Sequence, residues 1–208
     1  MYLFIDSCEY LTLGLLNEKF EWVDYEQVSS QKNSEIFHTK LYDLLTRANL
    51  TLETIEKCFL VAGPGSYTGM RLSEGMGQLL QWHKKKIYSF YHFEVPALLN
   101  FTQGVWLSEA FKGELFFYKW NSLTKNETME LVPKQDKENE TWVDELYGDY
   151  DHVFTHFATG NFDCEYTTDL IRRRSTELFP KIVALDLQRE SYYYRPLEKE
   201  FKQSFPMS

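Results

Sequence analysis

Cysteine is scarce in this 208-residue sequence: Cys8, Cys58 and Cys164 are the three present, and no CxxC spacing occurs. An odd, scattered set builds no disulfide framework, and a structural zinc site needs further ligands at close spacing. The three are expected to be buried, unreactive thiols. Long apolar runs are missing too, since nothing approaches the ~18 consecutive apolar residues of a membrane span. The opening run Met1–Ile5 is cut by Asp6 and lacks a basic start, so it does not read as a signal peptide, and a cytoplasmic location is expected. On that expectation the sequons at Asn49, Asn100, Asn126 and Asn139 are chance matches. Positive charge is also short, with 22 Lys and Arg against 31 Asp and Glu and a formal net charge of −9. Gripping a phosphate backbone needs a basic face that releases condensed counterions, so unaided nucleic-acid binding is disfavoured. The two basic runs, Lys84–Lys86 and Arg172–Arg174, read as solvated helix ends.

What the sequence has is core-forming material. Hydrophobic residues make up 43% and aromatics 17%, which excludes a disordered or fibrous chain. The length fits one domain or two small lobes.

The N-terminal part reads as three strands in series: Tyr2–Ile5, the period-two run Leu11–Leu15, and Phe20–Val23 after a turn at Asn17–Lys19. Such short connections predict an antiparallel meander. The polar stretch Gln27–Ser34 precedes a helix whose stripe is Phe37, Leu41, Leu44, Leu45 and Ala48, with Asn49 as a left-handed cap. Cys58–Ala62 is short enough for a buried strand, and Leu72, Met76, Leu79, Leu80 and His83 mark a second helix. The second half shows the same order more faintly. Val105–Leu107, Glu114–Trp120 and Thr128–Val132 read as strands, with Lys112-Gly113 as a turn. Lys134–Glu140 reads as a charged loop, Trp142–Leu146 as a short helix, His152–Phe157 as a strand and Thr167–Leu178 as a helix. Two halves of like order point to an α/β fold with a duplicated, actin-like or ribonuclease-H-like topology. Lobes of residues 1–102 and 103–208 are expected.

The segment Gly63-Pro64-Gly65-Ser66-Tyr67-Thr68-Gly69-Met70-Arg71 leaves a strand and opens a helix. Backbone N–H groups and the helix dipole favour an anion at such a place. Gly63, Gly65 and Gly69 permit close backbone approach, and Ser66 or Thr68 can cap the helix. The segment is not a P-loop, because Gly69 is followed by Met70-Arg71 rather than Lys-Ser/Thr. Nor is it the dinucleotide fingerprint, whose third glycine falls one place earlier. A tight turn that binds nothing competes with an anion cradle formed by Gly63, Gly65, Ser66, Thr68 and Gly69 together with Asp6. Asp6 itself reads either as a magnesium-phosphate ligand or as a turn-stabilising side chain bonding nearby N–H groups.

Gly63–Arg71 resembles the GPGSFTGxR signature of the TsaB family, also known as YeaZ, with Tyr67 in place of the usual phenylalanine. Asp6-Ser7-Cys8 is similar to that family's first Asp-Thr-Ser turn, and Asn33-Ser34-Glu35 sits where it has His-Ser-Glu. Ala110–Glu114 resembles its Ala-Arg-x-Gly-Glu turn, and Tyr194-Arg195 its terminal Tyr-x-Arg segment. The match covers roughly the first 120 residues. The resemblance implies an actin-like (ASKHA) fold of mixed sheets with flanking helices. It also implies a non-catalytic subunit of the complex that makes threonylcarbamoyladenosine in tRNA. TsaD would be the direct partner, TsaE a further member, and tRNA would be reached only through the complex. A homodimer could use the same helical surface. Docking through the first two helices would place Ile36, Lys40, Met70, Ser73 and Gly77 at the partner face, unless the small residues pack within the chain. No catalytic residue, cofactor or metal is expected.

Three other readings stay open. An actin-like ATPase or small-molecule kinase would use Asp6 and Gly63–Gly69. A peptidase would need a histidine beside Cys8 or Ser66, which the sequence does not place. A self-associating module would use the same helices to pair two copies. His38 has no partner histidine one turn away, and HExxH fails at Val153. His152 and His156, if in a strand, are ~13 Å apart at ~3.3 Å per residue, too far to share one metal ion.

Overall fold

The computed structural model describes residues 1–28, 33–110, 113–133, 152–156 and 164–194. Strands β1 (Tyr2–Asp6), β2 (Leu11–Leu16) and β3 (Trp22–Val28) form the expected meander. Helix α1 (Asn33–Arg47) leads to β4 (Lys57–Val61), helix α2 (Tyr67–Trp82) and β5 (Lys86–Phe90). The sheet order is β3-β2-β1-β4-β5, with β4 parallel to β1 and β5 parallel to β4. After a short helix α3 (Val95–Leu98) come β6 (Gln103–Ala110), β7 (Glu114–Asn121), β8 (Asn126–Pro133), β9 (Val153–Thr155) and β10 (Glu165–Tyr166). These form a second sheet in the order β10-β9-β6-β7-β8. Its pairings repeat the first: two antiparallel steps along the meander, then β9 parallel to β6 and β10 parallel to β9. The duplicated actin-like topology is therefore present strand for strand.

Alternation along β1 divides the core. Leu3 and Ile5 join Leu13 and Leu15 on one face, covered by Phe37, Leu41, Leu44 and Leu45 of α1 and by Met76 and Leu80 of α2. Tyr2 and Phe4 point the other way, with Phe59, Val61 and Phe90. That face is covered from the second half. Helices α4 (Thr167–Arg173) and α5 (Ser175–Ala184) close the described chain's helical part, and Phe179 of α5 is fully buried against the first sheet. Its ring lies 4.6 Å from Phe59, 5.8 Å from Phe4 and 5.8 Å from Trp22. The chain then returns beside β5, with Gln188 bridging Ser89 and the Tyr192 N–H bonding Ala62 O.

Several expected elements differ in extent. The third strand starts at Trp22, because Phe20 lies in the turn with φ 62° and its N–H bonds Asn17 O. β5 was hidden by Lys84–Lys86. Lys84 takes φ 59° beyond the helix end, and Lys86 opens the strand paired with Asp186. The expected single helix Thr167–Leu178 breaks at Arg174 (φ −119°, ψ 33°), whose side chain pairs with Glu177. Asn49 is left-handed after α1, at φ 54°. The loop Lys134–Glu140, the helix Trp142–Leu146, Phe111-Lys112 and Arg195 lie outside the described residues.

Truncating Phe179 to alanine removes the ring on which the first sheet's second face closes. The expected loss is about 3–5 kcal/mol of unfolding free energy. Denaturant titration of the wild type and Phe179→Ala checks it, and a loss below ~1 kcal/mol would mean that α5 is not needed as cover.

Candidate functional site

The glycine-rich loop follows β4 directly. Ser66 is the N-cap of α2, its Oγ accepting from the Gly69 N–H at 3.4 Å. The close approach that the glycines permit is to the chain's own backbone. A Cβ on Gly69 would lie 1.8 Å from Ser7 O, and one on Gly65 would lie 2.5 Å from Cys8 O. Gly63 has φ +113° and faces Tyr192 O. Ser7 Oγ donates to Gly69 O at 2.6 Å and lies 2.6 Å from Ser73 Oγ, locking α2 to the β1–β2 turn. Thr68 is exposed on the first turn of the helix.

Asp6 ends β1 at the point where the two halves meet. It is 3% exposed, and its Oδ1 accepts from the Cys8 N–H at 2.9 Å, the turn-stabilising role. Its Oδ2 lies 3.1 Å from His92 Nε2, which follows β5. His92 Nδ1 is 3.1 Å from Thr167 Oγ1, and that hydroxyl donates to Thr155 O. Beyond His92 the rings stack. His156 lies 4.8 Å from His92 at 23°, and Trp106 lies 5.2 Å from His156 at 11°. Strand ends from both sheets thus meet in a fully buried polar cluster at the C-terminal edges of β1, β5 and β9. Ligand crevices of open α/β sheets form at this kind of edge; here side chains fill it.

The electrostatics follow from burial. Desolvation pushes the Asp6 carboxyl up, but His92 and the Cys8 N–H outweigh it and leave the group below its ordinary value. Burial, then Asp6, push the Cys8 thiol well up, so it stays protonated. Cys58 is pushed up by burial alone. Burial brings His156 down from 6.5 to about 3, His92 adding to the effect and Asp6 opposing it. No local pattern signals that His92, Trp106, His156 and Thr167 assemble around Asp6, since they lie on four separate segments. His152 and His156 stand at opposite ends of β9 and do not meet; His156 meets His92 instead.

The five residues expected at a partner face are largely engaged within the chain. Met70, Ser73 and Gly77 are buried, and a Cβ on Gly77 would lie 2.7 Å from Leu60 Cδ1. They form the floor of a groove of about 450 Å³, walled by Arg71, Gln78 and residues 188–191. Ile36 packs on the core, and Lys40 pairs with Glu26 of β3. The outward stripe of α2 carries Gly75, Leu79 and Trp82 instead, because Ser73 and Gly77 are the positions that let the helix settle onto the sheet.

Gly69→Ala should lower stability by about 3 kcal/mol or prevent folding, because a backbone carbonyl must move. Gly75→Ala, with nothing within 4 Å of its Cβ, should stabilise α2 by roughly 0.5–1 kcal/mol. Thermal melts of both variants check this contrast. His156 supplies a pH test, read with Asp6, His92 and Cys8 around it. As pH falls from 6.5 toward about 3, the unfolded chain binds a proton at His156 that the folded chain refuses. Stability therefore falls on acidification, by up to ~1.4 kcal/mol per unit. Asp6 titrates below its ordinary 3.8, leaving the upper window to the histidine. His156→Phe should flatten the slope there; equal slopes in the two proteins would show that the ring is not held neutral.

No family model matches this sequence, and no curated protein matches it. Solved structures do match. YeaZ from Pseudomonas aeruginosa aligns at 18% identity and TM-score 0.50, over 64% of this chain and 66% of that one, just under two thirds of its length. A second crystal structure, of an uncharacterized protein with similarity to peptidase YeaZ from Pseudomonas aeruginosa, aligns at 15% identity and TM-score 0.59, over 100% of this chain and 98% of that one. At such identities the likeness is one of architecture: this chain has a duplicated, actin-like fold of two mixed sheets, of the kind found in YeaZ structures.

Proposed function

We propose that this chain is a TsaB-like, non-catalytic subunit of the assembly that makes threonylcarbamoyladenosine in tRNA, and that it holds a TsaD-like partner through the outer face of α1 and α2. One observation carries the reading: these helices leave large apolar side chains in water. Trp82 is 79% exposed, Tyr42 70% and Leu79 39%. On α2, Gly75, Leu79 and Trp82 recur at four and three residues, one outward stripe. Gly75 has open space around its Cα, so another helix can approach closely there. Exposed aromatic anchors beside a small residue are the usual centre of a docking surface.

Among the described residues, the groups that the enzymatic readings need are not accessible. Asp6 faces Cys8 and His92 and is out of reach of a nucleotide phosphate, which counts against an ATPase or kinase. A neighbouring structure is described as similar to a peptidase, and Cys8 does have His92 close by. That thiol is 1% exposed and held protonated by burial and by Asp6, so it is a poor nucleophile. With net charge −9, tRNA contact is assigned to other subunits, and TsaE joins through the complex. A second copy of this chain would compete for the same helices.

The test is co-purification with the TsaD of the same organism, followed by light scattering after size exclusion. The wild type should form a stable heteromer. Leu79→Glu and Trp82→Ala should weaken it at least about tenfold while leaving the thermal melt unchanged, as expected for residues at the centre of an interface. Two folded proteins that stay apart, with and without nucleotide and TsaE, would remove the proposal.

A further inference from the structure

The buried cluster at the end of β1 has a property that neither the fold nor the docking role requires. Thr167 Oγ1 has one proton and donates it to Thr155 O, so toward His92 Nδ1 the hydroxyl can only accept. Nδ1 therefore carries a hydrogen, and Nε2 is the ring atom turned toward Asp6. That atom is completely buried and has no well-directed hydrogen-bond partner among the described residues, although Asp6 Oδ2 is only 3.1 Å away. A buried imidazole nitrogen without a directed partner, beside a buried carboxylate, is a place where a positive charge held between the two is favoured.

The Cys8 sulfur completes the arrangement. One donor atom each from Asp6, Cys8 and His92 lie within 4.8 Å of one another, and all three residues are at most 3% exposed. We propose that these three residues form a binding site for a single zinc ion. Around tetrahedral zinc, with bonds of roughly 2.0–2.3 Å, donors sit roughly 3.3–3.8 Å apart, so the three atoms need move by less than a side-chain rotation. Mixed sulfur, imidazole and carboxylate donors select zinc over magnesium or calcium, which prefer all-oxygen sites. The His92–Thr167–Thr155 hydrogen-bond chain is the outer shell that commonly fixes the ring orientation and tautomer of a ligating histidine. His156 has an orphaned Nδ1 and is a further donor if its ring turns out of the stack. On binding, the sulfur–zinc bond replaces the S–H bond and the proton leaves to solvent. All three ligands belong to the first half, and the hydrogen bond between His92 and Thr167 couples the site to the second, independently of any docking role.

The experiment uses the full chain. Metal content is measured on protein purified without chelator, and the metal-stripped protein is titrated with zinc and then with Co²⁺ alone as the optical probe. One zinc per chain and a cobalt–thiolate charge-transfer band are expected. Cys8→Ser should abolish the band. Should that variant not fold, Cys58→Ala/Cys164→Ala leaves Cys8 as the sole thiol and must keep the band. Folded wild type with neither zinc above trace nor a cobalt band would overturn the site and leave Asp6 and His92 sharing only a proton. A band that persists in folded Cys8→Ser would also overturn it.

Discussion

The insertion of one aromatic ring from the second half into the first sheet governs the architecture. Phe179 sits among Phe4, Phe59, Trp22 and Phe90, so the face of β1 that looks away from α1 and α2 is sealed by a helix encoded more than a hundred residues later. Without that helix, Tyr2, Phe4, Phe59 and Phe90 would form a bare aromatic surface. The two sheets repeat one topology; each has a cluster of its own on one face, and the two share a third. A single hydrophobic cluster runs from Phe4 through Phe179 and Phe93 to Trp106, Phe116 and Phe154. The polar cluster around Asp6 lies along this seam, so the cost of burying it is met by packing from both halves.

Burial at the seam also decides what chemistry is left. In an open α/β sheet the carboxyl ends of the parallel strands offer a crevice, and here that edge is filled by two imidazoles, an indole and a threonine. These groups pack against one another, while the outer helices keep exposed apolar side chains that the interior does not need.

How far the sequence could be read depended on the range of the interactions. Local periodicity sufficed for α1, where Phe37, Leu41, Leu44 and Leu45 are all buried, and for the meander, where short turns leave little choice. It failed at β5, where Lys84–Lys86 masked an alternating strand of which only the last three residues are buried. The second helix is ambiguous in sequence for a physical reason. Small residues at positions 73, 75 and 77 give no indication of which side meets the sheet, and that is decided by Leu60 and Ser7, far away in sequence. The cluster at Asp6 was invisible because His92, Trp106, His156 and Thr167 are each unremarkable within their own segments. Only the pairing of β6 with β9 and the course of the chain after β5 bring them together.

The glycine-rich segment has a consequence for how such strings are read. Gly65 and Gly69 are held by two stretches of main chain crossing at contact distance, with Cys8 O and Ser7 O occupying the space where side chains would begin. A side chain at either position would have to displace main chain, so the crossing requires these two glycines whether or not the loop meets an anion. The string is a fingerprint of a crossing. Its glycines report a shape and are silent about chemistry.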